Sequence, residues 1–332
     1  MSIRMSTNFR RALLTTVIAG VMASLPFGRT LAADFPNKPI VLVSAFGPGG
    51  TTDILARAIA PPLSEALGVP VVVEDRVGGS GTIAVQHVAK SAPDGYTLLV
   101  TTASPIVVVP HTSNIARYEP TKDFAPITLM GITPEVLAVN TDVPATNLKE
   151  LIALSAKRQV TIGSSGTGGL PHMTIELLRT ASEGRIVHVP FKSAGFAVTD
   201  TLGGHVDGTF VDLPALFGQI QSGRLRGITI ANTKRSEFLP QLPTSGEQGY
   251  PSILGINWTG IMAPAGTPQG TLETLHHALS EVVKLDTIKQ AMVAAAIEVS
   301  ISDSPADFAK FIASEDAKWS KVVKDAGIQP NH

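Results

Sequence analysis

The chain has 332 residues, 44% of them apolar, with no cysteine. That length supports one large or two ordinary domains with full cores, and the missing thiols exclude disulfides, thiolate nucleophiles and Cys-ligated metals. The formal net charge of −1 argues against nucleic acid as a partner, which needs a strongly basic surface.

Residues 1–33 read as a secretory signal peptide. Arg4, Arg10 and Arg11 precede an apolar segment over 12–25 and small residues before Asp34, the order of n-region, h-region and cleavage site. Of the 26 basic residues, Arg4, Arg10, Arg11 and Arg29 precede Asp34, the first acid. Export would leave 22 basic against 27 acidic residues, a net of −5. Any anion must then be held by local donors, not by global charge.

Short β-branched runs then alternate with helical patterns. IVLVSA (40–45), VVVED (71–75), TLLVTT (97–102), PITLM (126–130) and LAVN (137–140) read as strands. VTIGSS (160–165), IVHVPF (186–191), DGTFVD (207–212) and GITIAN (227–232) continue the series. This alternation predicts an α/β protein of mainly parallel sheets flanked by helices, with strands enough for two sheets. The adjacent Pro61 and Pro62 should break or kink the first helix near Ala60. The last helix has Ser304 as N-cap, Pro305 at its first position and a terminating Gly327. Phe308, Phe311, Ile312, Trp319, Val322 and Val323 share one face of it.

Two loops carry the functional signal. In AFGPGGTTDILARAIA (45–60), Gly47, Gly49, Gly50, Thr51 and Thr52 lie between a strand and a helix, where free amide groups and the helix dipole favour an anion. The loop lacks the lysine of a nucleotide P-loop, and Thr52 stands where a dinucleotide fingerprint needs its third glycine. In VTIGSSGTGGLPHMTIELL (160–178), Ser164, Ser165, Gly166, Thr167, Gly168 and Gly169 repeat the arrangement. A nucleophile elbow fits neither register, because Thr167 or Ile162 stands where glycine is required. A secreted serine hydrolase using Ser164 or Ser165 is the competing reading. His172 and Glu176 stand at i,i+4 spacing, but with no third ligand indicated no metal site is expected. If the loops face one another, their amides can grip one organic acid. Charge-assisted bonds of ~1.5–3 kcal/mol each and ~0.3–1 kcal/mol from each dipole would leave about −8 kcal/mol net, near micromolar affinity.

The chain resembles the Bug-type substrate receptors of tripartite tricarboxylate transporters. AFGPGGTTDILAR, VVVEDRVGGSGTIA, APDGYTLLVTT, SSGTGGLPHM, HVPFKSAG, DTLGGHVDGTFVDLPA and WTGIMAPAGTP occur in the family's order and spacing, and the resemblance spans 35–328. It implies a two-domain periplasmic binding protein (flytrap) fold, with domain 1 over 34–133 plus 257–332 and domain 2 over 134–256. It implies a non-enzymatic monomer that needs no cofactor, resides in the periplasm and binds a small mono-, di- or tricarboxylate, an amino acid or an aromatic acid. The partners implied are the membrane components of a tripartite tricarboxylate-type transporter, or a sensor.

Carried over by position, Phe46, Gly49, Gly50, Thr51, Thr52 and Asp53 form the first carboxylate cradle, with Gly47 in the same turn. Ser164, Ser165, Gly166, Thr167, Gly168 and His172 form the second, and Ser104 and Asp212 face the pocket. The chain departs from the family pattern at Ala45, Asp75, Val77, Gly169 and Ser193, where proline, asparagine, proline, threonine and glycine are usual. Asp53 could instead serve its own helix as a first-turn acid. Asp212 could accept a bond from a ligand amine or hydroxyl, or fix the cleft wall.

Overall fold

A computed structural model of the chain describes residues 35–48, 50–182 and 185–330. The expected leader and Gly49 lie outside the described residues. Residues 38–332 form one compact unit.

Ten strands run in chain order. They are β1 (Ile40–Ser44), β2 (Val71–Asp75), β3 (Thr97–Thr102), β4 (Phe124–Asn140), β5 (Val160–Ser164), β6 (Ile186–Pro190), β7 (Gly208–Asp212), β8 (Leu225–Ile230), β9 (Ile256–Pro264) and β10 (Glu298–Val299). Their order in the sheet is β2-β1-β3-β9-β4-β7-β5-β6, with β8 and β10 also pairing with β4. The sequence suggests separate strands at 126–130 and 137–140 and two sheets; the structure joins both pairs. β4 is one strand of 17 residues. Its first part, through Pro134, pairs with β9, and its last part, from Glu135, pairs with β7 and β8. The run escapes a sequence reading because Gly131 and Pro134 interrupt it, yet a register shift against β9 falls at Gly131, and Pro134 keeps its pairing opposite Ile256.

Parallel ladders lie at the two ends, β2-β1-β3 and β7-β5-β6. The antiparallel β9 and β4 join them.

Nine helices of eight or more residues occur among the described residues. They are α1 (Thr51–Leu67), α2 (Thr82–Ala89), α3 (Leu148–Lys157), α4 (Leu170–Ala181), α5 (Ala194–Leu202), α6 (Leu213–Gln221), α7 (Gln269–Lys284), α8 (Asp286–Ala294) and α9 (Pro305–Asp325). Pro61 and Pro62 do not break α1, contrary to expectation. Leu55, Ile59 and Leu63 are buried on both sides of the prolines while Pro61 faces solvent. Packing therefore holds the segment helical through the two missing amide bonds. The last helix follows its sequence signals: Ser304 Oγ accepts from the Asp307 amide, and Gly327 has φ 65°.

The core under α9 is aromatic. Phe308 meets Trp258 edge-on, with ring centroids 5.6 Å apart, and both are fully buried. Gly260 permits this approach, since a Cβ there would lie 2.3 Å from Phe308 Cζ. At the other end, the His172 ring on α4 stacks at 3.9 Å on His188 of β6. Burial, with the neighbouring His172 second, pushes His188 down to about 4.

Replacing Phe308 by Ala should cost ~3–5 kcal/mol of stability by denaturant unfolding; a loss below about 1 kcal/mol would show that α9 is not part of the cooperative core. Because His188 takes up its proton less readily folded than unfolded, stability should fall as pH drops from about 6.5 to about 4. The pH 7 to pH 4 loss should be smaller in His188→Gln, and an equal loss in both proteins would contradict the assignment.

Candidate ligand-binding site

Where the strands end, the loops open on one cavity of about 1060 Å³. Carboxyl ends of strands are the usual place for a ligand in an open α/β sheet, because helix N-termini gather there. Gly81, the N-cap of α2, lines this cavity, and four further helix starts reach it. Gly50 and Thr51 open α1, Gly169 and Pro171 open α4, Ser193, Ala194 and Gly195 open α5, and Asp212 and Pro214 open α6; all line the wall. None of these four helices has its N-cap side chain bonded to its own first-turn amides. The dipoles and free donors of four helix ends thus converge on one space.

The first loop is a tight turn in which the Gly50 amide donates to Gly47 O at 3.0 Å. A Cβ on Gly50 would lie 3.1 Å from that oxygen and 3.2 Å from Phe46 Cβ, so the turn favours glycine there. Phe46, Gly47, Gly50 and Thr51 line the cavity. Thr52 and Asp53 do not. The Thr52 hydroxyl is buried against Ser44 Oγ at 2.8 Å, while Asp53 is buried and paired with Arg57. Asp53 lies in the first turn of α1, where it pairs with the Arg57 side chain one turn on.

In the second loop, Ser165, Gly166 and Gly169 line the cavity. Gly166 and Gly168 have φ of 143° and 78°, values that favour glycine. Four of the other predicted residues are not on the wall. Ser164 is fully buried, with its Oγ 2.7 Å from Gly166 O and 2.6 Å from His188 Nε2. Thr167 is exposed. The Gly168 amide donates to His172 Nδ1 at 3.0 Å, and its carbonyl accepts from Thr112 Oγ1 at 2.7 Å. His172 therefore fixes the loop from behind.

Ser104, just after β3, lines the cavity and accepts from the Leu170 amide at 3.0 Å. Asp212 lines it too and accepts from Thr51 Oγ1 at 3.2 Å, so α1 and the end of β7 meet directly. Gly169, where the family pattern has threonine, would place a Cβ 3.4 Å from Ser104 Oγ. A threonine would fit only by crowding that hydroxyl.

The structure adds groups that sequence reasoning did not single out. Lys192, Ser193, Glu135 and Asn257 all line the cavity. Lys192 and Ser193 follow a strand and precede a helix in HVPFKSAG, a legible N-cap signal that the glycine loops overshadowed. Glu135 is fully buried. Burial, and secondarily the charge of Asp212, pushes its carboxyl well above the usual range, and burial likewise raises Asp212.

The Ser164–His188 contact has nucleophile–base spacing, but the hydroxyl is buried off the cavity wall, where no substrate carbonyl can reach it. Ser165 is on the wall, and no histidine is. His172 Nε2 lies 3.6 Å from Glu176 Oε1, whose other oxygen is 2.5 Å from Arg179. Among the described residues no group of three or more His, Asp or Glu side chains could hold a metal ion. No described helix is long and apolar enough to cross a membrane.

The comparisons agree with this architecture. The model of the tripartite tricarboxylate transporter family receptor, TctC, matches residues 55–328. BugT of Bordetella pertussis is 34% identical over 320 residues, spanning 95% of this chain and 98% of BugT. R. palustris Rpa4515, solved with adipate, is 33% identical with a TM-score of 0.81, over 90% of this chain and 100% of that one. MatC from Rhodopseudomonas palustris, solved with bound malate, is 27% identical with a TM-score of 0.77, over 87% and 100%. The fold is that of a two-domain periplasmic binding protein, in a family of receptors and not of enzymes. The chain belongs to the TctC, or Bug-type, family of tripartite tricarboxylate transporter receptors, which are periplasmic solute-binding proteins.

Proposed function

We propose that the protein captures a small organic acid in the 1060 Å³ cavity and delivers it to the membrane components of a tripartite tricarboxylate-type transporter or to a sensor. The observation that carries this reading is the convergence of four helix N-termini, from α1, α4, α5 and α6, on one wall. A carboxylate there receives amide hydrogen bonds, and the exposed Lys192 adds one positive charge on the same wall. The adipate and malate bound by two relatives support an acid as the ligand class. Phe46, Gly47, Gly50, Thr51, Ser104, Ser165, Gly166 and Asp212 contact the ligand in this reading. Thr52, Ser164, Gly168 and His172 shape the two loops from behind.

The two lobes divide at 133/134 and 256/257, giving 34–133 plus 257–332 and 134–256. Both cuts fall where β4 changes partner from β9 to β7 and where β9 begins. Bending at these two points would open the cavity, and a ligand that touches both lobes favours the closed form by its added contacts. The leader over 1–33 takes the protein to the periplasm, where it works as a monomer.

Two outcomes test the proposal. In a thermal-shift panel of small acids that includes adipate and malate, at least one should raise the melting temperature in proportion to the logarithm of its concentration. A flat response across the panel would contradict the proposal. Ser165→Asp should fold normally and weaken binding of that acid by at least about a hundredfold. Like charges about 4 Å apart repel by ~4 kcal/mol at an effective dielectric near 20. Unchanged calorimetric affinity would remove the second loop from the site.

A further inference from the structure

The cavity has an acidic side that an acid ligand alone does not explain. Glu135 of β4 lies opposite Asp212 of β7 in the ladder between the two strands. Glu135 is 0% exposed, and neither of its carboxylate oxygens has a hydrogen-bond partner. The side-chain oxygen of Asn257 is buried and unpartnered in the same way. All three residues line the cavity. Asp212 accepts a side-chain bond from Thr51 Oγ1 at 3.2 Å.

Such a set consists of acceptors without donors. A buried carboxylate left unpaired is costly and ordinarily has a hydrogen-bonded partner. The cost persists here because no described arginine or lysine pairs with either acid; Lys192 lies on the same wall but forms no ion pair with them. A ligand that brought only carboxylates to this side would add a negative charge beside Glu135 and Asp212. A ligand that brought a cationic nitrogen would supply the missing donors. An ammonium group offers three N–H bonds, enough for Glu135, Asp212 and Asn257 Oδ1 together.

We propose that Glu135, Asp212 and Asn257 form a subsite for a protonated nitrogen, so that the ligand is a small acid carrying an amine, held amine-first on the strands and carboxylate-first on the helix ends. The proposal rests on the reading of the cavity as an organic-acid site and names the ligand class for it. The amine of the ligand then meets the acids, and its carboxylate meets the helix-end amides. A plain dicarboxylate of the same length is rejected by the acids at the floor. Lone amines are rejected by the helix dipoles at the other end.

Calorimetry on the full chain with matched pairs tests this: glutamate against glutarate, 6-aminohexanoate against adipate, and aspartate against malate. At least one amine-bearing acid should bind, at least about tenfold tighter than its partner without the amine. Glu135→Gln keeps the shape and removes the charge. It should weaken the amine-bearing ligand by at least about tenfold while leaving or improving the affinity of the plain acid. Binding should also release protons to the buffer, read as an enthalpy that changes with buffer ionisation heat, because burial raises the Glu135 carboxyl and an incoming cation favours its ionised form.

Equal affinity within the pairs, or tighter binding of the plain acids with Glu135→Gln unchanged, would overturn the amine subsite and leave the organic-acid reading intact. Plain-acid binding that appears only with added Ca²⁺ would assign the floor to a metal and also overturn it. Binding by no member of any pair would sink both readings.

Discussion

A single strand that belongs to both ends of the sheet sets the rest of the geometry. β4 gives its first part to β9 and its last part to β7 and β8, so one continuous strand joins the two parallel ladders. The loops that leave β1, β5, β6 and β7 therefore face a shared space. Helix starts without side-chain caps are normally satisfied by water or by a ligand, and here four of them point into the same volume. The binding site is a consequence of strand pairing before it is a consequence of any single side chain.

Charge is distributed accordingly. The ion pairs that stabilise the protein, such as Arg57 with Asp53 and Asp75, or Arg158 with Asp207, sit away from the cavity wall. The wall itself has amide donors at the helix starts and the acids Glu135 and Asp212, the latter also the N-cap of α6, with Lys192 its single cationic side chain. Oriented amides hold an anion without the rearrangement that a flexible cation needs, and cost little to preorganise. The half-buried, stacked His172 and His188 lie behind the second loop and fix its shape through Gly168 and Ser164.

Much of this was legible in the sequence, and the rest fails for identifiable reasons. The glycine loops, the strand–helix alternation and the cap of α9 are local signals, and local signals survive into the fold. The continuity of β4 is not local. It depends on β9, which arrives over a hundred residues later, and on a register shift that absorbs Gly131. The helix α1 runs through Pro61 and Pro62 because tertiary burial of Leu55, Ile59 and Leu63 overrides a backbone penalty. Side-chain direction is the third gap. Thr52 and Ser164 belong to the predicted loops, yet each hydroxyl turns toward the protein's own atoms, Ser44 and His188. Glu135 carried no sequence signal, since an acid at the edge of a strand pattern reads as exposed until its ladder partner is known.

The central claim is that backbone amides at helix ends do the gripping. Titrating ¹⁵N-labelled protein with the acid that binds most tightly, and following the amide resonances, tests it most directly. The account predicts the largest downfield shifts at the amides of Thr51, Gly166, Gly169 and Gly195, which belong to three separate loops. Shifts confined to one loop, or spread over the outer helix faces with these four unchanged, would contradict it.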